Sequence, residues 1–331
     1  MSTLRVNKIY RVLVIALTLF SVEAKSAGFS DSIMAYTQGT NCNSFANLLH
    51  KVNIFDENGA DPRVVQARTD TGKMFAPIGF IATSNPVPSV DKNDIDPSNG
   101  QRFLRKERGT SFLISPCYAL TNYHAVFGSS NAPSNKFTAT FYDFDPEEKT
   151  HKQTRVIPVA WGNFADGKIE SEDWALVKLD VCVGKRIGWL ETDVRKTGEL
   201  YNKEVAIAGY PGDKKITDLW MQASCRLVEY NQKNFEGTFF HDCASRPGAS
   251  GSPLFDLENG YPQVLALNSA DLHSENTILH SYTHDKANIA IDIRTILPKI
   301  QSILSEDKRS FGGKNPSLPP EVLAAMDKPT I

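Results

Sequence analysis

A switch in hydrophobic period constrains this chain more than any other feature. From about Arg63 onward apolar residues recur at every second position: Phe137, Ala139 and Phe141 alternate with Thr138 and Thr140. Such alternation turns one face of an extended strand toward a core and the other away from it. Further short runs rich in β-forming residues are predicted at 110–115, 118–123, 156–161, 174–179, 204–208, 220–230, 237–241, 263–268 and 288–293. Clusters of Gly, Pro, Asn and Asp separate them, and no regular strand–helix alternation supports a parallel sheet. The expectation is an all-β sandwich or barrel.

The two ends of the chain read differently. Arg5, Lys8 and Arg11 precede the apolar run Val12–Phe20, and small residues reach Ala24. A bilayer span needs roughly 20 apolar residues, so nine read as a cleavable secretory signal over residues 1–24. Phe45, Leu48, Leu49 and Val52 have helical spacing behind Asn43 and Ser44, within an N-terminal extension or pro-segment at 25–62. Near the other end, Ile296, Leu297, Ile300, Ile303 and Leu304 share a helical face, with Thr295 as the expected N-cap. Residues 84–109 carry Asn-Pro, Asp-Pro and Asn-Gly breakers and are expected as a surface loop, while 306–331 read as a loose tail. The main domain is thus expected over 63–305.

Composition narrows the function classes. Thirty-six Lys+Arg against 38 Asp+Glu leave a formal charge of −2, which supplies neither a basic stripe for nucleic acid nor an acidic tail. After signal removal no second apolar stretch approaches membrane length. Five cysteines (Cys42, Cys117, Cys182, Cys225, Cys243) include no Cys-x-x-Cys, so a zinc or thioredoxin-type motif has no support, and an exported protein with two disulfides fits. His273, His280 and His284 gather near Asp271 and Asp285 but lack regular ligand spacing and read as a surface loop. No metal and no cofactor are implied.

Three segments carry chemistry. His124 lies in Leu120-Thr121-Asn122-Tyr123-His124 at the end of an expected strand, and Asp173 leads into the strand Trp174-Ala175-Leu176-Val177. Ser250 sits in the tight turn Pro247-Gly248-Ala249-Ser250-Gly251-Ser252-Pro253. A serine hydroxyl attacks only when an imidazole takes its proton, and the imidazole needs a carboxylate to fix its tautomer. Glycines flanking Ser250 let the backbone turn sharply, so that the N–H groups of Gly248 and Ser250 could form an oxyanion hole. Each piece alone is commonplace. Together, in the order His, Asp, Ser at separations of 49 and 77, they point to acyl transfer. An α/β-hydrolase would need the order Ser, acid, His, drawn here from Asp271, Asp285, His280 and His284, and the 81 residues after Ser250 leave little room for it.

With those residues in place, the stretch from about Arg63 to Leu304 resembles the trypsin/chymotrypsin-fold serine proteases, in particular the secreted bacterial glutamyl endopeptidase (V8-like) branch. The resemblance rests on Gly109-Thr110-Ser111-Phe112-Leu113-Ile114, on the His124 and Asp173 segments, on Gly209-Tyr210-Pro211-Gly212-Asp213-Lys214, on His241-Asp242-Cys243 and on Gly248-Ala249-Ser250-Gly251-Ser252-Pro253. It implies two antiparallel six-stranded β-barrels, followed here by the C-terminal helix. His124 and Asp173 would come from the first barrel and Ser250 from the second, acting together on peptide bonds in a secreted or periplasmic serine endopeptidase. It also implies disulfides Cys117–Cys182 and Cys225–Cys243, with Cys42 left over. Two positions depart from the animal enzymes of this fold: Ala249 replaces the acid that receives a freed N-terminal ammonium, and Ala125 replaces a half-cystine. The base of the specificity pocket falls at Ala244, beside Ser245, and Asn268 stands where glutamate-specific members carry a histidine. An uncharged P1 residue is therefore expected. A catalytically silent two-barrel protein, used for binding or adhesion, is the alternative.

Overall fold

The computed structural model describes residues 60–318, apart from 67–69, 84–86, 89–96, 99, 102–103, 106–107, 128–136, 143–150, 165–169, 193–199, 231–234, 259, 273–281 and 313. The signal sequence, the helix expected at 45–52, Cys42 and the last 13 residues lie outside the described residues.

The strands follow in order: β1 (Val64–Val65), β2 (Ile78–Thr83), β3 (Val87–Pro88), β4 (Leu104–Arg105), β5 (Arg108–Ser115) and β6 (Tyr118–Thr121). A short helix α1 (Tyr123–Phe127) leads to β7 (Phe137–Tyr142), β8 (His151–Trp161) and β9 (Ala175–Leu179). After α2 (Gly184–Ile187) come β10 (Glu191–Thr192), β11 (Glu204–Gly209), β12 (Trp220–Tyr230) and β13 (Thr238–His241). Then β14 (Pro253–Asp256), β15 (Gln263–Asp271) and β16 (Asn288–Asp292) run into α3 (Ile293–Ser310).

These strands form two six-stranded antiparallel barrels, the expected architecture. In the first, β2-β5-β6-β9-β8-β7 close on themselves. In the second, β12-β11-β14-β15-β16-β13 close through the β12–β13 pairing, with β1 added to β12 and the parallel β10 to β15. Closure removes the exposed edges that an open sheet would offer to other chains. Alternation sorts the side chains within β5: Leu113 faces the first barrel's core, while Phe112 and Ile114 join a cluster that also takes in Ala206, Phe255 and Leu267 of the second. Strands buried on both faces lose their polar alternation, which is why Phe112, Leu113 and Ile114 follow one another without a polar residue between them.

Four elements differ from their expected limits. The strand expected at 118–123 ends at Thr121 as β6, so His124 stands on α1 and not at a strand end. Asn122 donates to the Asp173 carbonyl at 2.7 Å and turns the chain, and Tyr123 stacks on Phe127 across one helical turn at 4.2 Å. The 84–109 stretch contains the paired strands β3 and β4, and its final residues already belong to β5. The cap of α3 is Asp292, whose side chain accepts from the Arg294 N–H, and not Thr295, whose hydroxyl donates to the Asp292 carbonyl instead. Nor are the described residues between 306 and 318 loose. Helix α3 continues to Ser310, and Asn315 is buried, accepting from the Trp189 N–H (3.1 Å) and donating to the Trp189 carbonyl (2.8 Å). The apolar face of α3 (Ile293, Ile296, Ile300, Leu304) packs into the cluster between the barrels. Each such side chain contributes about 1.5–3 kcal/mol of burial.

Cys117–Cys182 and Cys225–Cys243 are both bonded. β6 and β9 are antiparallel neighbours, with Tyr118 opposite Lys178, which sets Cys117 beside the chain leaving β9. Asp307 of α3 reaches the same corner, accepting from Ser115 Oγ (2.7 Å) and the Cys117 N–H (2.8 Å).

Candidate active site

Asp173 lies between a one-turn 3-10 helix at Glu170–Glu172 and β9, and is fully buried. Burying a carboxylate is costly unless donors surround it, and here three do. The His124 backbone N–H reaches Oδ1 at 3.0 Å, while His124 Nδ1 (2.8 Å) and Ser269 Oγ (2.6 Å) both reach Oδ2. A carboxylate can only accept, so Nδ1 carries a proton, and in the neutral ring the lone pair lies on Nε2. The His124 side chain remains 28% exposed while Asp173 is sealed behind it. Burial, and secondarily the Asp173 charge, raises the pKa of the neighbouring Tyr123 phenol.

The Ser250 turn is attached to the same place from the other barrel. Ser250 Oγ lies 3.4 Å from the carbonyl of Ser269, whose hydroxyl holds Asp173, so one residue of β15 touches both. From the first barrel, Thr110 N–H donates to the Ser250 carbonyl (2.7 Å), and Thr110 Oγ1 donates to the Gly248 carbonyl (3.1 Å) while accepting from Tyr210 N–H (2.9 Å). Gly109 fixes the approach: a β-carbon there would meet the Ser250 carbonyl at 3.0 Å and Ala125 Cβ at 3.1 Å. Thus α1 and the Ser250 turn come together over a residue with no side chain.

Within the turn, Gly248 (φ +96°) and Gly251 (φ +85°) occupy left-handed backbone that other residues reach only with strain. The N–H groups of Ala249, Gly251 and Ser252 donate to the Arg246, Asn268 and Ala249 carbonyls. Among the described residues, those of Gly248 and Ser250 have no protein acceptor.

Beside the turn, Asn268 donates through Nδ2 to Ser245 Oγ and to the Ala249 carbonyl, each at 3.0 Å. Its Oδ1 therefore faces His241 Nε2 at 3.1 Å, and that nitrogen carries the proton. Burial pushes the His241 pKa down to about 3, against the opposing pull of its hydrogen bonds, so the ring is neutral. Ala244 is buried nearby, its N–H donating to Gln222 Oε1. The asparagine amide is fully engaged, and the Ser245 hydroxyl hydrogen is left to donate.

The remaining histidines are elsewhere. His284 Nδ1 faces Glu229 at 3.0 Å on the surface, and His273 and His280 lie outside the described residues. The one metal-type grouping among the described residues, Cys225–Asp242–Cys243, has both sulfurs in a disulfide. Three residues that matter here carry no local sequence signal: Thr110, Asn122 and Ser269. They bind partners 138, 51 and 96 positions away, so only the folded barrels show their use.

A buried carboxylate thus stands behind an imidazole, and a turn of the facing barrel brings Ser250 across from it, in a double barrel of the trypsin-like fold. Residues 109–266 match the family described as "Trypsin-like peptidase domain". A Glu endopeptidase solved in complex with MPD has a TM-score of 0.53 at 18% identity, over 75% of this chain and 98% of that chain. An inactive-form mutant of Rv3671c from M. tuberculosis H37Rv gives 0.42 at 16% identity, over 71% of this chain and 91% of that one. No curated protein matches the chain. The antiparallel barrels leave no place for the α/β-hydrolase arrangement.

Proposed function

We propose that the protein is a secreted or periplasmic serine endopeptidase acting through His124, Asp173 and Ser250. The observation that carries the reading is the 2.8 Å contact between His124 Nδ1 and the buried Asp173, across from the Ser250 turn. Ser250 Oγ attacks the scissile carbonyl as His124 Nε2 takes its proton. His124 then protonates the leaving amine, and in the second half-reaction it activates the water that hydrolyses the acyl-enzyme. Asp173 orients the ring and stabilises the imidazolium. The N–H groups of Gly248 and Ser250 receive the oxyanion, a role for which preorganised donors are the largest single contribution. Two disulfides fit an oxidising compartment, and among the described residues no helix is long and apolar enough to cross a membrane.

For specificity we propose an uncharged P1 residue. Ala244 contributes no charge to the pocket base, the Ser245 hydroxyl can donate to a neutral polar group, and Asn268 holds Ser245 in place. A substrate carboxylate buried here would find a neutral His241 behind Asn268 and no cationic imidazole to compensate it.

The test is labelling with a fluorophosphonate probe followed by peptide mapping, with the tag expected on Ser250. Ser250→Ala should abolish labelling and lower kcat by about 10⁶, and Asp173→Asn by about 10⁴. Casein cleavage at the wild-type rate by Ser250→Ala would overturn the assignment.

A further inference from the structure

The backbone that presents Gly248 is braced from behind by a charged cluster with no part in the chemistry described so far. Arg63, just ahead of β1, is 5% exposed. Its guanidinium grips two carboxylates. Nε and Nη2 reach Asp61 at 2.9 Å each, and Nη1 and Nη2 reach Asp213 at 3.1 and 2.6 Å. Lys214 Nζ closes on Asp61 at 2.7 Å, and Arg246 Nε faces Asp213 at 3.7 Å. Burial works against the charge on Asp61, but the Arg63 and Lys214 contacts prevail and hold its pKa at about 2.

Asp213 belongs to the loop that touches the oxyanion strand. Gly212 N–H donates to the Pro247 carbonyl at 2.7 Å, and a β-carbon on Gly248 would meet the Tyr210 carbonyl at 2.9 Å and Gly212 N at 3.0 Å. The Pro247–Gly248 peptide, which carries the N–H assigned to the oxyanion, is therefore set by where the 210–213 loop lies. That loop is in turn set by Arg63. A small cavity behind the Ser250 turn is lined by Arg63, Trp220, Gln222, Ala244, Ala249 and Ser252, so Arg63 shares it with the residue that precedes Ser250. Ala249 offers it no carboxylate. Asp213, one loop away, does.

We propose that Arg63, through its bidentate pair with Asp213, is a positioning residue that holds the Pro247–Gly248 peptide in the form that binds the oxyanion. This rests on the serine-peptidase reading above. The device is a side chain already present in the chain, docked by the β1–β12 pairing of Val64 with Met221 and Val65 with Trp220. It therefore needs no newly freed N-terminal amine. An Arg fork suits the position because two rigid carboxylate contacts fix both ends, which a single ammonium contact cannot do.

The experiment compares full-chain wild type, Arg63→Met, Arg63→Lys, Asp213→Asn and the exposed-pair control Arg155→Ala. Two rates are read: phosphonylation by a fluorophosphonate, and kcat and KM for p-nitrophenyl acetate. Arg63→Met and Asp213→Asn should label at least tenfold more slowly, with kcat reduced by the same factor and KM within twofold. Arg63→Lys should recover part of the rate, and Arg155→Ala should match wild type. A cooperative melt shows that each variant is folded. Should Arg63→Met fail to fold, the near-isosteric Asp213→Asn decides. Wild-type labelling rates in a folded Arg63→Met or Asp213→Asn protein, or a change in KM alone, would overturn the proposal. Absence of labelling at Ser250 in the wild-type protein would instead overturn the serine-peptidase reading itself.

Discussion

Ser269 Oγ gives Asp173 one of its three donors and has no other role in the hydrogen-bond scheme of the site. Ser269→Ala should leave the fold intact and remove a charge-assisted bond of about 1.5 kcal/mol, which is about tenfold in the acylation rate, read by fluorophosphonate kinetics. His241 predicts a pH effect on stability. Its folded pKa of about 3 lies below the ordinary histidine value, so the unfolded chain binds a proton that the native protein does not. Stability from this group is thus complete above about pH 6.5 and is lost as pH falls toward 3, amounting to about 2 kcal/mol between pH 6.5 and 4.5. Denaturation curves across that range should show the drop in wild type and a smaller one in His241→Gln, which keeps a donor toward Asn268. The acidic groups add their own loss at lower pH: Asp61, held near 2, gives up its contribution only as pH falls through about 4 toward 2.

At the scale of elements, α3 and the segment after it work as a brace for the first barrel. Asn315 satisfies both backbone groups of Trp189, a residue of that barrel's core. Asn315→Ala would strand the Trp189 N–H, while the carbonyl keeps Ser317 Oγ at 2.9 Å, at a cost of about 1–3 kcal/mol, or roughly 2–10 °C of melting temperature by calorimetry. The helix was legible from its 3.6-residue face. Its continuation to Ser310 was not, because Glu306, Asp307, Lys308 and Arg309 read as a polar tail until Asp307 is seen bonded to Ser115 and Cys117. Likewise β3 and β4 are two residues each, too short to leave a period, and α1 is a single turn and a half imposed by Asn122 and the Asp173 backbone.

For the molecule as a whole, the join between barrels is where site and stability meet. Thr110 Oγ1 serves Gly248 and Tyr210 at once, across separations of 138 and 100 positions. Thr110→Val keeps the shape but leaves a buried carbonyl and a buried N–H without partners, costing about 2–4 kcal/mol. Both the urea midpoint and the phosphonylation rate should fall, whereas a loss confined to stability would show that the join does not shape the turn. The chain's own order of residues determined the all-β class, the His124, Asp173 and Ser250 segments and the glycines of the turn, because alternation and backbone freedom are local properties written in neighbouring residues. Only the tertiary structure decided what surrounds them: Ser269 behind Asp173, Thr110 under Gly248, Arg63 against Asp213, and Asn268 held by His241. Those contacts join positions 27 to 150 residues apart. The first two depend on two closed barrels meeting along one seam and the others on distant parts of the second barrel brought side by side, and spacing along a single strand carries no record of the partner across it.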